Sequence, residues 1–552
     1  MPLIKIDDRE IEVEKGITVL QAATAEGIEI PYYCYHPALS IVGSCRMCLV
    51  EIEGMPKLQV SCNTSIGELP PERKKDGKYD MIVRTQTEIV KRERENVLEF
   101  LLLNHPLDCP VCDQAGECFL QDYSYKYGRA HSRFLEEKRV RKNEYLGSNV
   151  IINHNRCIMC TRCVRFTREI SGTNELFVQA RGDNSKISIF EDKSLDNLLA
   201  GNVIDICPVG ALLSTDYIHK NRFWNLEEKK SICTDCSVGC NILVYSQNNR
   251  IFRINARENH SVNGYFICDI GRYGFHRYED AEKVTSPLIR SDGGFKPISW
   301  EGALKEIYEQ FSRSKDGEKH QIVGIASPFH TNESLFMFGR LMDNIFKDKS
   351  IIGKLPFIED YEIHFDSGFR ISKDRSPNRQ GLLDFCLNLE DEILQKVKTG
   401  KVRLCYALDD GVDRKLDEEW ESFFKSQRFL VVQTYAMTPL AKLAHLILPG
   451  PSPMEREGTM TNDQGRIQWL KPSVSLTNKT RPDWEIIMEF MNTVGKRELK
   501  YSSVNEVNLE MGERFPSYRG MTFFKIGYQG LPKKNIATSR PSEGGQAGNT
   551  VT

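Results

Sequence analysis

A chain of 552 residues is too long for one hydrophobic core, so roughly three to five domains are expected. Forty per cent hydrophobic and 27% charged residues are ordinary globular proportions, and a net charge of −2 leaves no basic footprint for nucleic acid. No apolar run approaches the roughly 18 residues that cross a bilayer, and the N-terminus is charged from Lys5 with no signal-peptide pattern, so a soluble, cytoplasmic chain is expected.

In chain order, LIKIDDREIEVEKG reads as two short strands around a charged turn, and GITVLQAATAEGI as a helix. Thr18 and Gln21 have capping-box spacing, and Gly27 suits the C-terminal stop. CLVEIEG and KLQVSC supply further strands beside an irregular cysteine loop, which predicts a small β-grasp domain. From Thr87 the spacing predicts a helix with Val90, Val97, Leu98, Leu101 and Leu102 on one face, terminated by Pro106. Its charged outer face, and the run RAHSRFLEEKRVRK (129–142), read as solvated surface. From ISWEGALKEIYEQFSRS onward, helical stretches alternate with the apolar runs QIVGIAS, VRLCYAL and FLVVQTY, which predicts an α/β domain. The closing SRPSEGGQAGNTVT is polar and Gly-rich, and disorder is expected there.

Of 17 cysteines, only Cys386 and Cys405 lie beyond Cys268. Without a secretion signal a disulfide framework is a poor reading, and close C-x-x-C pairs point to metal or redox sites. Cys34, Cys45, Cys48 and Cys62 are spaced C-x10-C-x2-C-x13-C, similar to a plant-type ferredoxin, which favours a [2Fe–2S] cluster over tetrahedral zinc. The small residues of GSCRMC would let backbone N–H groups approach the sulfurs. His105, Cys109, Cys112 and Cys118 form H-x3-C-x2-C-x5-C after a helix; spacing alone leaves structural zinc and a His-ligated cluster equally open. Cys157, Cys160 and Cys163, with a distant Cys207 followed by Pro208, have the half-ferredoxin arrangement of one [4Fe–4S] cluster. Thr167 stands where a second cubane's cysteine would be. Arg156, Arg162, Arg165 and Arg168 surround this motif, either to offset a negative cluster or as a solvated helix face. Cys233, Cys236, Cys240 and Cys268, spaced C-x2-C-x3-C-x27-C, favour a further [4Fe–4S] cluster over zinc. Four such groups in one chain suit a relay that moves electrons singly.

GSCRMCLVEIEG, HPLDCPVCDQAGEC, LQDYSYKYG, RCIMCTRCVRF and ICDIGRYGF together resemble the large iron–sulfur subunit family of respiratory NADH:quinone oxidoreductase, complex I, across residues 1 to 280. Weaker similarity continues through ISWEGAL, PNRQGLLDFC and LAHLILPGPSPMEREGTMTNDQGRIQ to a molybdopterin-oxidoreductase fold. The resemblance implies a multidomain α+β and α/β architecture. A 2Fe–2S ferredoxin-like β-grasp domain would span 1–80, a 4Fe–4S domain with one histidine and three cysteine ligands 81–130, and a ferredoxin-like 4Fe–4S domain 131–225. A molybdopterin-oxidoreductase-type 4Fe–4S domain at 226–282, a degenerate α/β domain at 283–535 and a disordered tail at 536–552 would follow. It also implies iron in all four sets, His105 included: one [2Fe–2S] and three [4Fe–4S] clusters, the fourth off the main electron route. Electrons would come from a flavin- and NADH-binding partner and leave through other iron–sulfur subunits toward quinone. The chain would sit peripherally on the cytoplasmic face of the inner membrane, attached only through the complex.

No substrate-binding catalytic site is expected in this chain. It has no G-x-G-x-x-G after a strand and no Walker loop, and SDGGFKP reads as a turn. Related formate dehydrogenase-like molybdenum enzymes, the alternative reading, usually carry lysine in a C-x-K-G segment where this chain has Cys268-Asp269-Ile270-Gly271, so no molybdenum is expected. Cys386 and Cys405 sit among apolar neighbours and read as structural core. A zinc-stapled structural protein and an [FeFe]-hydrogenase are the remaining, weaker alternatives.

Overall fold

A computed structural model describes residues 1–70, 74, 77–312, 321–343, 351–353, 362–385, 402–409, 416, 418–477, 480–495 and 498–534. Cys386 and the tail expected to be disordered lie outside the described residues. Two units can be distinguished. The first comprises Met1–Lys229, Cys240–Gly274 and Tyr361–Ile371, the second Lys230–Gly239, Phe275–Asp360 and Ser372–Thr552.

In the first unit, β1 (Leu3–Ile6) and β2 (Arg9–Glu12) form the predicted hairpin, with Ile4 opposite Ile11. Helix α1 (Val19–Ala25) begins at the predicted capping box. The Thr18 hydroxyl accepts from the Gln21 N–H at 3.2 Å, and the Gln21 side-chain oxygen accepts from the Thr18 N–H at 2.9 Å. Gly27 ends the turn at φ +67°, a left-handed backbone that suits glycine. With β3 (Leu49–Ile52), β4 (Gln59–Val60) and β5 (Met81–Arg84), the sheet runs β2-β1-β5-β3-β4, and β1 and β5 are parallel. Leu20 and Ala23 of the helix pack on Ile4, Ile6 and Val83 of the sheet.

Helix α2 (Glu88–Leu102) starts as predicted, with Thr87 as its N-cap, and ends four residues short of Pro106; α3 (Phe119–Tyr127) lies against it. Its charged face is not all solvated. Arg94 is only 1% exposed, its Nη2 donating to the Leu49 carbonyl at 3.3 Å and its guanidinium 5.5 Å from the Tyr127 ring. The 129–142 run is solvated as expected, with none of its residues buried, and from that surface Arg129 and Arg133 pair with Glu95 and Glu99 of α2. Lys138 donates to the Leu102 and Leu103 carbonyls at 2.8 and 2.9 Å, satisfying acceptors that a helix C-terminus leaves open.

The chain continues through β6 (Glu144–Tyr145), β7 (Val150–Ile152), α4 (Arg162–Glu169), β8 (Leu176–Gln179), β9 (Lys186–Ile189), α5 (Asn202–Asp205) and β10 (Leu212–Ser214). β7 is central in a three-stranded antiparallel sheet between β10 and β6, and β8 and β9 form a hairpin. After β11 (Glu227–Ile232), the hairpin of β12 (Asn241–Gln247) and β13 (Arg250–Ala256) leads to α6 (Asp269–Tyr273).

The second unit carries a seven-stranded sheet in the order Gly294–Pro297, Leu288–Ser291, Leu446–Pro449, Phe429–Thr434, Val402–Leu408, Gln321–Ala326 and Ile351–Gly353. The last five strands are parallel and the first two form an antiparallel hairpin, so SDGGFKP is the turn expected. The apolar runs are continuous because both sheet faces are covered. Leu404, Tyr406 and Leu408 face a core with Phe338 and Phe490, while Cys405 and Ala407 face another with Phe424 and Leu440. Cys405 is thus a core side chain.

Candidate metal centres

Cys157, Cys160, Cys163 and Cys207 line one small cavity of about 20 Å³, walled also by Ile152, Ile158, Ile187, Val209, Ala211 and Leu212. The loop that brings the first three together runs through Met159 at φ +53° and Thr161 at φ +59°. Left-handed backbone at non-glycine residues costs on the order of 1–3 kcal/mol, is typical of functional sites, and can aim successive N–H groups at an anion. Here the Met159 N–H donates to Cys157 Sγ at 3.4 Å. Burial pushes the Cys160 thiol up to about 11 and Cys157 up to about 12. Burial alone therefore keeps these groups protonated, and a metal must displace the proton to bind.

In the first set, Cys34, Cys48 and Cys62 are buried and Cys45 is half-buried. The thiols touch one another: Cys34 meets Cys45 and Cys62, and Cys62 meets Cys48. Contact with Cys45 and Cys62, together with the backbone N–H groups of Cys45 and Ser44, draws Cys34 well below the usual thiol range. GSCRMC therefore does bring N–H groups to a sulfur, and Arg46 within it is left-handed at φ +60°. Contact with Cys34 and Cys48 instead holds Cys62 as a thiol.

The second set sits between α2 and α3. Cys109 opens a short 3-10 turn, and Cys118 is the N-cap of α3. Cys109 is exposed, whereas Cys112 and Cys118 are buried. Burial pulls His105 down to about 4, so near neutral pH its imidazole is uncharged, the form that binds metal. The Cys112 sulfur lies against Gly210, where an added Cβ would stand 2.3 Å from it. Arg156, 5% exposed, pairs with Asp108 at 3.0 Å (Nε to Oδ2), and Arg222 donates to the Cys112 carbonyl at 2.8 Å.

Cysteines from all three sets meet in one apolar cluster. Cys118 belongs to it with Tyr33, Met47, Leu98 and Val209, and Cys45, Cys157 and Cys207 pack against it. The Phe119 N–H donates to the Pro208 carbonyl at 3.1 Å, joining the residues next to Cys118 and Cys207. The Tyr33 hydroxyl is buried with no partner among the described residues. In the fourth set all four cysteines are buried. Among the described residues there is no disulfide, and no three His, Cys, Asp or Glu side chains are placed to hold a single metal ion. Buried free thiols around an apolar cavity, with backbone N–H groups turned to sulfur, fit the donor chemistry of iron–sulfur clusters.

Residues 3–68 match the model of a 2Fe-2S iron-sulfur cluster binding domain, and residues 94–133 that of the NADH-ubiquinone oxidoreductase-G iron-sulfur binding region. Residues 147–213 match the ferredoxin-like domain of NADH-quinone oxidoreductase subunit 3. The molybdopterin oxidoreductase Fe4S4 domain matches 226–280, and molybdopterin oxidoreductase matches 283–354 and 375–493. The NADH-quinone oxidoreductase G subunit of Rickettsia conorii is 40% identical over 342 residues, 62% of this chain and 49% of that protein. The chain is homologous to the G subunit of NADH-quinone oxidoreductase. The NADH-ubiquinone oxidoreductase 75 kDa subunit of Reclinomonas americana, also 40% identical, shares 62% of this chain and 48% of its own. The chain spans about half the length of these two relatives. A chain from the crystal structure of NAD+-reducing [NiFe]-hydrogenase in the H2-reduced state is 30% identical over 40% of this chain and 90% of its own, with a TM-score of 0.35, too slight to bear on the fold. The domain order of the matches is the expected one: a 2Fe–2S ferredoxin-like domain, 4Fe–4S domains, then a molybdopterin-oxidoreductase domain.

Three of the arginines around the third set are buried, at 5% exposure for Arg156 and Arg162 and 2% for Arg165. The solvated-face reading survives only for Arg168, whose side chain is 59% exposed. Sequence reasoning missed Gly210 and Tyr33. Gly210 had one signal, its place two residues after Pro208 of the Cys207-Pro208 pair; Tyr33 had none beyond adjacency to Cys34. Among the described residues no helix is long and apolar enough to cross a membrane.

Proposed function

We propose that this chain is an electron-relay iron–sulfur subunit of a proton-pumping NADH:quinone oxidoreductase. One observation carries the reading: a single apolar cluster gathers cysteines from three metal-ligand sets, so adjacent centres share a continuous apolar wall. Bound there, iron–sulfur clusters supply one-electron redox chemistry at potentials set by ligand type, hydrogen bonding and burial.

In this reading Cys34, Cys45, Cys48 and Cys62 hold a [2Fe–2S] cluster. His105, Cys109, Cys112 and Cys118, then Cys157, Cys160, Cys163 and Cys207, then Cys233, Cys236, Cys240 and Cys268 each hold a [4Fe–4S] cluster. The chain's own residues exclude water and fix the ligands. Ile152, Ile158, Ile187 and Leu212 keep the third site dry. The N–H groups of Ser44, Cys45 and Met159 meet ligand sulfurs. His105 contributes a neutral donor, which leaves its centre one negative charge short of an all-thiolate set. The six segments 1–80, 81–130, 131–225, 226–282, 283–535 and 536–552 remain the proposed domain division. A flavin- and NADH-binding subunit would deliver electrons and other iron–sulfur subunits of the peripheral arm would accept them, with membrane attachment only through the complex, on the cytoplasmic face.

Anaerobic iron, sulfide, zinc and molybdenum analysis with low-temperature EPR tests the reading. Roughly 14 iron and 14 labile sulfide per chain are expected. One zinc with roughly 10 iron would turn one cubane site into a zinc site, and one molybdenum per chain would make the chain an enzyme in its own right. In the assembled complex, Cys160→Ala is expected to abolish NADH-to-quinone transfer and spare NADH oxidation by artificial acceptors. Surviving quinone reduction would remove the third set from the route.

A further inference from the structure

We infer that Arg165 is a positioning residue shared by the first and third cysteine sets, a buried cation that raises the reduction potential of both centres together. The inference rests on the cluster assignment proposed above.

Arg165 lies on α4, two residues after Cys163, and is 2% exposed. Its Nη2 donates to the Cys34 carbonyl at 2.6 Å and to the Cys160 carbonyl at 3.2 Å, so one guanidinium nitrogen ties a ligand of the first set to a ligand of the third. Its Nη1 donates to the Ser40 carbonyl, farther along the Cys34 loop. Arg162, 5% exposed, reinforces the same junction by donating to the carbonyls of Tyr35 and, at 2.9 Å, Ile206, the residues next to Cys34 and Cys207.

All these acceptors are neutral carbonyls. Among the described residues neither arginine has a carboxylate partner, and the Nε–H of each is buried without an acceptor. Glu169, on the same helix, acts on Arg165 only through space and makes no hydrogen bond to it; its oxygens take the Ser40 N–H at 2.8 Å, the Ser40 hydroxyl at 2.6 Å and Arg168 at 2.9 Å. His36, the titratable neighbour, is pulled down by burial and by these two arginines, and offers no negative charge. A buried cation left with neutral partners is costly, and folds retain one where an anion meets it. The anions available here are the cysteine thiolates themselves, which carry charge once a metal has displaced their protons. Each electron accepted adds a negative charge at a centre, so a nearby fixed cation favours the reduced form. Because Arg165 holds one ligand backbone of each set, its charge acts on both.

The test is an EPR-monitored redox titration of the full chain in its assembled complex, comparing wild type with R165Q, R165K and R168Q, with iron and sulfide counted on the same samples. In R165Q the reduced-to-oxidised ratio of each of the two centres is expected to fall about tenfold at a fixed potential, a downward shift of about 59 mV for one electron. R165K keeps the charge on a shorter stem that cannot fork to the same carbonyls, and both potentials are expected to fall together by less. R168Q, on the exposed face, is expected to leave both unchanged. Should R165Q fail to assemble, R165K decides alone: a joint, smaller fall supports the inference, and no shift, or a shift at one centre only, overturns it. Full iron with unmoved potentials in R165Q overturns the inference and leaves the cluster assignment standing. A wild-type chain without the [2Fe–2S] signal overturns the assignment itself.

Discussion

Gly210→Ala is the sharpest steric probe of the second cysteine set. The added methyl would lie 2.3 Å from Cys112 Sγ, 3.0 Å from Gln114 Cβ and 3.8 Å from Arg156 Cδ. Ordinary carbon contacts begin at about 3.5 Å, so the sulfur or the glycine backbone must retreat by roughly 1 Å. The backbone is poorly placed to do so: the Gly210 carbonyl accepts from Arg156 at 3.4 Å, the next carbonyl accepts from the Asn153 N–H at 2.7 Å, and β10 is registered on β7. The sulfur must give instead, while metal–ligand distances tolerate only about 0.2 Å. G210A is therefore expected to lose the proposed His-ligated centre, roughly four iron per chain, and about 1–3 kcal/mol of stability from overpacking. Gly67→Ala, where nothing lies within 4 Å of the new methyl, is the matched control. Iron and sulfide counting with EPR reads the first effect and urea unfolding the second. A G210A protein with full iron and an unaltered EPR signal from that centre would refute the reasoning.

Two further predictions concern the scaffold. Asp483 and Arg456 are both 2% exposed and pair at 2.7 Å, with Gln433 donating to the second Asp483 oxygen at 2.6 Å. Asp483→Ala leaves a buried guanidinium without its carboxylate and is expected to cost about 3–5 kcal/mol in urea unfolding; a loss below about 1 kcal/mol would contradict the pairing. His36, its Nδ1 accepting from the Ala38 N–H at 3.2 Å, is pulled from 6.5 to about 4 by burial and then by Arg162 and Arg165. The unfolded chain takes up this proton first, so the stability His36 contributes is complete above about pH 6.5 and is lost as pH falls toward 4. His36→Gln should flatten that part of the stability profile, and an unchanged profile would rule His36 out as its source.

Features written in local chemistry were legible in the sequence. Thr18 and Gln21 marked the start of α1 because a capping box needs only residues three apart. The C-x2-C pairs marked the cysteine sets for the same reason. The solvation of charged helices was not legible. Arg94 has the neighbours of a surface residue in the sequence, yet its acceptor is the Leu49 carbonyl and its ring partner is Tyr127, both distant along the chain. Arg162 and Arg165 were open to two readings because helical periodicity places a side chain on a face without saying what covers it. Here the covering element is the loop of residues 34–40. Gly210 belongs with them, since a glycine required by the approach of a distant sulfur looks the same in sequence as one required by a turn.

The segment from Cys207 to Ser214 bears on the order of events during synthesis. It contributes the last cysteine of the third set, the glycine against which Cys112 packs, and the strand that closes onto β7. Until the ribosome has released it, the third set lacks its fourth cysteine and the second lacks a wall, although their other cysteines emerged much earlier. Those two centres would therefore mature as one event after residue 214 is free, whereas Cys34 to Cys62 and the sheet around them can close first. Contacts so far apart in the chain form slowly, and the waiting thiols are reactive. The interval before this strand docks is where the nascent protein most needs protection from oxidants and from the wrong metal.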